Sequence, residues 1–204
     1  TDLSYKVNYL EKDTNKVLHE PKVQGGMTFE NTVKASDEVI EIDGYKYDSS
    51  DKASISITTN SNVINIYYTK RKDLSYKVNY LEKDSNKVIH EPKVQGGMTF
   101  ESTVTSSNEI IEIVGYNYDS VDKESIKLTT GENVINIYYT KKIDLNYTVN
   151  YLEKDTNTVL HDQKVQKGKT LEDVIKASDE VIEIDGYNYD SVDKDTLIIT
   201  AENN

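Results

Sequence analysis

The sequence repeats itself with a period of 71 residues and without insertions. The segment that begins at Asp2, Asp-Leu-Ser-Tyr-Lys-Val-Asn-Tyr, returns at Asp73 and again, with two substitutions, at Asp144. A unit of this length is too long for one turn of a thin solenoid and lies near the lower size limit of a domain that folds alone. We therefore predict small domains in tandem. The predicted domains are residues 1–71, 72–142 and 143–204.

The third repeat is incomplete. The segment Val63–Lys70, Val-Ile-Asn-Ile-Tyr-Tyr-Thr-Lys, recurs unchanged at Val134–Lys141 and has no third copy. If this closing strand lies beside the opening strand, residues 143–204 expose a sheet edge or an open groove, a template for a strand from another chain. Alternatively the folding unit is offset. Residues 63–133 and 134–204 would then be full periods, and residues 1–62 the fragment.

Composition excludes several kinds of partner and site. The chain has no cysteine, which excludes disulfides, thiolate metal sites and cysteine catalysis. The three repeats carry formal charges of −2, −2 and −8, which give the net −12. Because an acidic chain repels phosphate and anionic lipid, we expect no nucleic acid and no bare membrane as partners. The first residue is Thr1 and no signal or membrane-spanning segment is evident, so we expect part of a longer protein.

Most segments of the repeat have strand patterns. Alternating large apolar and polar residues predict five strands, at residues 5–10, 16–24, 45–47, 54–58 and 63–69 of the first repeat. Polar clusters predict turns at residues 11–15 and 48–51, and the first of these makes a hairpin of the first two strands.

One helix is predicted in each repeat. Gly25-Gly26 breaks the strand pattern, and Thr28 can cap a helix that stops before Gly44. Its apolar face would consist of Phe29, Val33 and either Val39 or Ile40. Residues 39–42 also fit a short strand. The predicted fold class is α+β, with the order ββαβββ and one helix packed on a mixed sheet.

The joints between repeats contain no glycine, proline or serine-rich stretch. They are residues 70–73 and 141–144. We therefore expect short, stiff joints and an elongated rod.

These motifs resemble the mucin-binding-protein (MucBP) repeat family of Gram-positive surface proteins. The matching elements are Tyr-x-Val-x-Tyr at residues 5–9, Glu-x-Asp-x-Asn at 11–15, Gly-Gly at 25–26, Gly-Tyr at 44–45 and Ile-Tyr-Tyr-Thr at 66–69. The resemblance implies tandem β-grasp (ubiquitin-like) domains, an extracellular location on the cell wall, and either adhesion to host glycoproteins or spacing of a distal binding head. The third repeat departs from the pattern at Gln163, Lys167 and Leu171. We expect it to bind or fold less well than the others.

A tyrosine pair in each repeat is the candidate ligand site. Tyr45 and Tyr47 are two residues apart and share one face of a strand, where exposed phenol rings could stack on a sugar. The equivalent residues are Tyr116, Tyr118, Tyr187 and Tyr189. The alternative is that the tyrosines supply the core, because each repeat has at most one Phe and no Trp.

Other candidate groups have weaker patterns. One histidine per repeat, at His19 and its equivalents, cannot assemble a metal site. Asp48 and Asp51 could bind Ca²⁺ but also form ordinary turns. A Lys–Asn isopeptide crosslink would need a buried lysine. The lysines that recur in every repeat are Lys12, Lys22 and Lys52 with their equivalents. We predict no cofactor.

The repetition itself predicts the class of function. No phosphate loop and no nucleophile beside a base is present, so we predict a non-catalytic chain. Near-copies of one unit indicate that the repeats serve to lengthen the chain or to provide several weak binding sites, rather than to build one active site. The leading prediction is a stalk. The alternative is weak multivalent binding of mucin-type glycans or host glycoproteins through the tyrosines.

Overall fold

The computed structural model describes residues 2–202 and 204. These residues are mostly β-strand, and none of them lies in an α-helix. The helical segments are 3-10 turns at Ala35–Glu38, Ser106–Glu109 and Ala177–Glu180. Within the described residues, no helix has the length and apolar character needed to cross a membrane.

The chain divides into two compact units, neither of which coincides with one repeat. The first comprises residues 1–78, 93–105 and 124–135, and the second comprises residues 79–92, 106–123 and 136–204.

Each repeat contributes its own set of strands. Those of the first are β1 (Leu3–Glu11), β2 (Val17–Met27), β3 (Thr32–Lys34), β4 (Tyr45–Ser50), β5 (Ser54–Ser56) and β6 (Val63–Lys70). Those of the second are β7 (Leu74–Glu82), β8 (Val88–Met98), β9 (Thr103–Thr105), β10 (Tyr116–Val121), β11 (Ser125–Lys127) and β12 (Val134–Lys141). Those of the third are β13 (Leu145–Leu152), β14 (Val159–Lys169), β15 (Val174–Lys176) and β16 (Thr196–Ile198).

The first repeat forms a mixed sheet with the order β2-β1-β6-β4. β1 pairs with β2 in an antiparallel hairpin and with β6 in parallel, and β4 runs antiparallel to β6. β3 and β5 form a separate two-stranded ribbon. The closing strand β6 therefore lies beside the opening strand β1. The equivalent sheet of the second repeat has the order β10-β12-β7-β8.

The core of the first repeat lies on one face of this sheet. Side chains alternate along β1 and β6, so that every second residue is buried. The buried hydrophobic residues are Tyr5, Val7, Tyr9, Val33, Ala35, Ile57, Ile64, Ile66 and Tyr68. Tyrosines therefore supply much of the core. Tyr68 on β6 is among them and is 1% exposed.

The predicted helix is wrong, and with it the α+β assignment. Glu30 adopts a left-handed backbone (φ 67°), which ends any helix that starts at Thr28. β3 then pairs with β5 and turns the β-branched side chain of Val33 into the core. One 3-10 turn follows, and Val39 is extended again. Strand pairing thus overrides the helical spacing of the apolar residues.

Two smaller predictions also fail. Gly25-Gly26 does not end the second strand but lies inside β2, where Gly26 (φ 74°) accompanies a bulge opposite β1. The predicted turn at residues 48–51 starts too early, because β4 continues through Ser50.

The third repeat has fewer strands. β13 pairs with β14, and β15 pairs with β16. Residues 187–192, which correspond to β4, form a single isolated bridge, Ile184 with Tyr187. Within the described residues, this segment pairs with no strand in the way that β4 pairs with β6.

Candidate functional site

At the junction between the first two repeats, an aromatic ring packs directly against a glycine. Phe100 follows β8, and Gly44 precedes β4 with a left-handed backbone (φ 76°). A Cβ placed on Gly44 would lie 2.3 Å from the ring Cζ of Phe100, which is closer than such atoms approach. The ring also makes an edge contact with Tyr45 at 5.6 Å between centroids. Only glycine fits this position without displacing the ring.

The joint residue Arg71 is held by its backbone on both sides. Its N–H donates to the carbonyl oxygen of Gly44 at 2.9 Å, and its carbonyl oxygen accepts from the N–H of Phe100 at 2.8 Å. One peptide segment thus bridges the two repeats by hydrogen bonds. Rotation of one repeat against the other at this joint would break the bond between Arg71 and Phe100 and displace the ring from Gly44.

Ion pairs surround the same contact. The carboxylate of Glu101 lies 2.8 Å from the Nζ of Lys70 in the preceding repeat and 2.9 Å from that of Lys127. Hydrogen bonds donated by these two ammonium groups lower the pKa of Glu101 to about 2. The bond that Lys70 donates to Glu101 also raises the pKa of Lys70. The Thr130 hydroxyl donates to Asp43 at 2.7 Å nearby.

The second junction repeats this arrangement with a smaller side chain. Leu171 packs on Gly115 (φ 85°), where a Cβ would lie 2.9 Å from a Leu171 methyl carbon. The Lys142 N–H donates to Gly115, and its carbonyl oxygen accepts from Leu171, both at 2.9 Å. The Nζ of Lys141 lies 2.6 Å from Glu172. The departure at Leu171 therefore preserves the contact.

A strained glutamate marks the same position in every repeat. Glu30, Glu101 and Glu172 have φ values of 67°, 63° and 70°. A left-handed backbone costs a residue other than glycine about 1–2 kcal/mol. At the two junctions the carboxylate of this residue pairs with a lysine of the preceding repeat.

The sequence analysis missed these junction residues. It assigned Phe29 to the apolar face of a helix, yet Phe29 is 51% exposed, and the equivalent Phe100 is half-buried against the preceding repeat. The available signal was the recurrence of a large apolar residue directly before a glutamate in a polar stretch, together with an invariant Gly-Tyr.

The candidate tyrosines lie in different surroundings. Tyr45 and Tyr116 are half-buried, and the Tyr45 hydroxyl donates to Glu11 at 3.3 Å. Burial is the main cause of the raised pKa of both phenols. The second member of each pair is more open, with Tyr47 43%, Tyr118 46% and Tyr189 60% exposed. Tyr187 is 48% exposed. In the first repeat, therefore, only Tyr47 of the pair presents a largely open ring.

A polar cluster lies beneath the 3-10 turn in the first and third repeats. Glu38, 7% exposed, accepts from the Tyr5 hydroxyl at 2.7 Å and from the Lys22 ammonium at 2.6 Å. Tyr147, Lys164 and Glu180 form the same cluster in the third repeat, at the same distances. The Tyr147 pKa is raised to about 12, first by burial and then by the bond to Glu180. The cluster holds the turn against the opening hairpin.

The other candidate groups are engaged in the fold. Asp48 pairs with Lys12 at 2.6 Å, and Asp51 accepts from the backbone and side chain of Asn65. His19 is exposed and packs edge-on against Tyr9. Over the described part of the chain, no group of three or more acidic or histidine side chains converges as a metal site would require.

Comparisons with known proteins give matches only among solved structures. No protein-family model and no curated protein matches the chain. The type 2 repeat of the mucus binding protein MUB from Lactobacillus reuteri has 16% identity and a TM-score of 0.28, over 69% of this chain and 100% of that one. Mub-RV has 13% identity and a TM-score of 0.27, over 69% and 99%. Streptococcal SHIRT domains 3-4 from a cell surface protein have 17% identity and a TM-score of 0.27, over 68% and 98%.

These structural neighbours are repeats of mucus-binding and SHIRT surface proteins, the kind of repeat that the motifs resemble. Overlaps this low do not establish a common fold. The proposals below therefore rest on the junctions and on the surfaces of the described residues.

Proposed function

We propose that this chain is a non-catalytic repeat region of a bacterial cell-surface adhesin, located outside the cell on the wall, and that it acts as a stiff stalk. The observation that carries this proposal is the junction at which Phe100 packs on Gly44 while Arg71 bonds to both repeats. The same contacts recur at Leu171, Gly115 and Lys142, which supports one mode of joining for both pairs of consecutive repeats.

We further propose that the repeats are β-grasp-like domains at residues 1–71, 72–142 and 143–204. The mixed sheet with a central parallel pair, β1 and β6, supports this assignment. A 3-10 turn stands where the helix of such a domain would be.

A stalk needs joints that resist bending. Each junction combines one apolar contact, two backbone hydrogen bonds and a lysine–glutamate pair, so bending has to disrupt several interactions at once.

The test is a distance distribution across the first junction. The chain has no cysteine, so spin labels at Val23→Cys and Val94→Cys, both 68% exposed, report only the labelled positions. We expect a narrow distribution of distances between the two labels. This distribution should broaden in the Phe100→Ala variant but not in the Phe29→Ala variant. A broad distribution in the parent chain, or a compact particle by small-angle scattering, contradicts the stalk.

A second candidate function is weak multivalent binding of mucin-type glycans or host glycoproteins. It is favoured by the exposed rings of Tyr47, Tyr118 and Tyr189, which recur once per repeat. A mucin-glycan array tests it with the triple variant Tyr47→Ala, Tyr118→Ala and Tyr189→Ala. Binding that survives these changes, or its absence in the parent chain, contradicts this function.

A further inference from the structure

Consecutive repeats are connected from the closing strand of one to the opening strand of the next. β6 ends at Lys70 and β7 begins at Leu74, and β12 ends at Lys141 before β13 begins at Leu145. A pull along the chain therefore enters the second repeat at the start of β7 and leaves it at the end of β12. The corresponding strands of the first repeat are β1 and β6, which are neighbours in the sheet and run parallel.

The parallel pairing decides how such a pull acts on the hydrogen bonds. β1 and β6 are in register over six residue pairs. Backbone bonds extend to both ends of the pair, since the Lys6 N–H donates to the Asn62 oxygen at 2.9 Å and the Lys12 N–H donates to the Tyr68 oxygen at 2.8 Å. Pulling two parallel strands from opposite ends slides one along the other, so all of these bonds resist together.

Side chains reinforce the same strand pair on the face of the sheet opposite the core. The Asn8 amide on β1 donates to the side-chain oxygen of Asn65 on β6 at 2.8 Å. Asn65 donates in turn to the carboxylate of Asp51, from its backbone N–H at 2.8 Å and from its side-chain amide at 3.0 Å. These three residues form a row of hydrogen bonds across β1, β6 and the residue after β4, which we call the asparagine ladder.

The second repeat has the same arrangement. β7 and β12 are adjacent, and the Lys77 and Lys83 N–H groups donate to the oxygens of Asn133 and Tyr139, both at 2.9 Å. Donor and acceptor both advance by six residues, so these two strands are parallel as well. The asparagine ladder of this repeat consists of Asn79, Asn136 and Asp122. The ladder thus accompanies the parallel pair in both four-stranded sheets.

We propose that β1 and β6, joined by the asparagine ladder, form a mechanical clamp that resists unfolding by a pull along the chain, and that β7 and β12 do the same in the second repeat. This property goes beyond stiffness, because a joint can resist bending while the repeats that it connects unfold under tension. Its use rests on the surface role proposed above, since an adhesin that holds a host surface under flow is pulled along its length.

The experiment pulls the first repeat of the full chain in two directions by single-molecule force spectroscopy. Because the chain has no cysteine, handles can be attached through two introduced thiols. Asp2→Cys with Lys72→Cys pulls β1 and β6 from opposite ends, whereas Asp2→Cys with Ser61→Cys pulls both from the same end; all three positions are exposed. We expect the first pair to need a force at least about twofold higher, because the bonds break together rather than one after another.

Side-chain variants separate the clamp from ordinary stability. Asn65→Ala should unfold about fivefold faster under the same pull from opposite ends, as the loss of one hydrogen bond allows. Ile55→Val on β5 is the control, because it removes a methyl group packed against the core but lies outside the path of the pull. It should lower equilibrium stability and leave this unfolding rate unchanged.

Equal forces in the two directions would overturn the proposal, and so would equal acceleration by Asn65→Ala and Ile55→Val. Failure of the clamp can be distinguished from failure of the stalk. Equal forces together with a narrow distribution of label distances would remove the clamp and leave the stalk, whereas a broad distribution would contradict the stalk whatever the forces are.

Discussion

The ring of Phe100 packs directly on the backbone of Gly44, where a β-carbon would lie 2.3 Å from Cζ. These two residues belong to neighbouring repeats and are 56 positions apart. Their contact makes the conformation of one glycine a determinant of how consecutive repeats are joined.

Replacing this glycine should displace the ring. Gly44→Ala adds both left-handed strain and a clash, whereas Gly186→Ala, with φ 79° and no atom within 4 Å of its Cβ, adds strain alone. We expect Gly186→Ala to lose about 1 kcal/mol of unfolding free energy from strain alone, and Gly44→Ala to lose more because of the added clash. Because the chain has only two phenylalanines, fluorine-labelled Phe gives two NMR signals. Only Gly44→Ala should move the Phe100 signal toward that of exposed Phe29. An unmoved signal would contradict the packing of the Phe100 ring on Gly44.

The junction ion pair should make stability depend on acid pH. The pKa of Glu101 is about 2 in the folded chain, against an ordinary value of 4.5. Since the folded value is the lower one, the pair stabilises the fold above about pH 4.5, and this contribution is lost as the pH falls toward 2.

We therefore expect Glu101→Gln to be about 0.5–1 kcal/mol less stable than the parent chain at pH 7. The difference should shrink between pH 4.5 and pH 2, measured by denaturant unfolding across that range. Glu30→Gln is the matched control, because Glu30 has the same left-handed backbone and is exposed. A constant difference at all pH values would exclude this electrostatic origin.

Removing a hydrogen-bond donor from the buried cluster beneath the first 3-10 turn should lower the free energy of unfolding. Tyr5→Phe removes the hydroxyl that donates to buried Glu38, and we expect a loss of about 1–3 kcal/mol. Tyr47→Phe, the same change on a ring that is 43% exposed, should stay within about 0.5 kcal/mol. Equal effects in thermal unfolding would show that the cluster does not stabilise the fold.

The sequence by itself determined the period and most of the strands. Alternation of large apolar and polar residues is a local property, so β1, β2 and β6 could be predicted from residues that are close along the chain.

Only the tertiary structure decided which apolar residues form the core and which form the junctions. Phe29 and Val33 have helical spacing, but pairing of β3 with β5 buries Val33 and leaves Phe29 exposed. The role of Phe100 depends on Gly44, and their contact arises only when consecutive repeats are folded and joined. Such a contact between distant residues leaves no periodic signal in the chain, because its cause is the distance between two backbones rather than a local pattern.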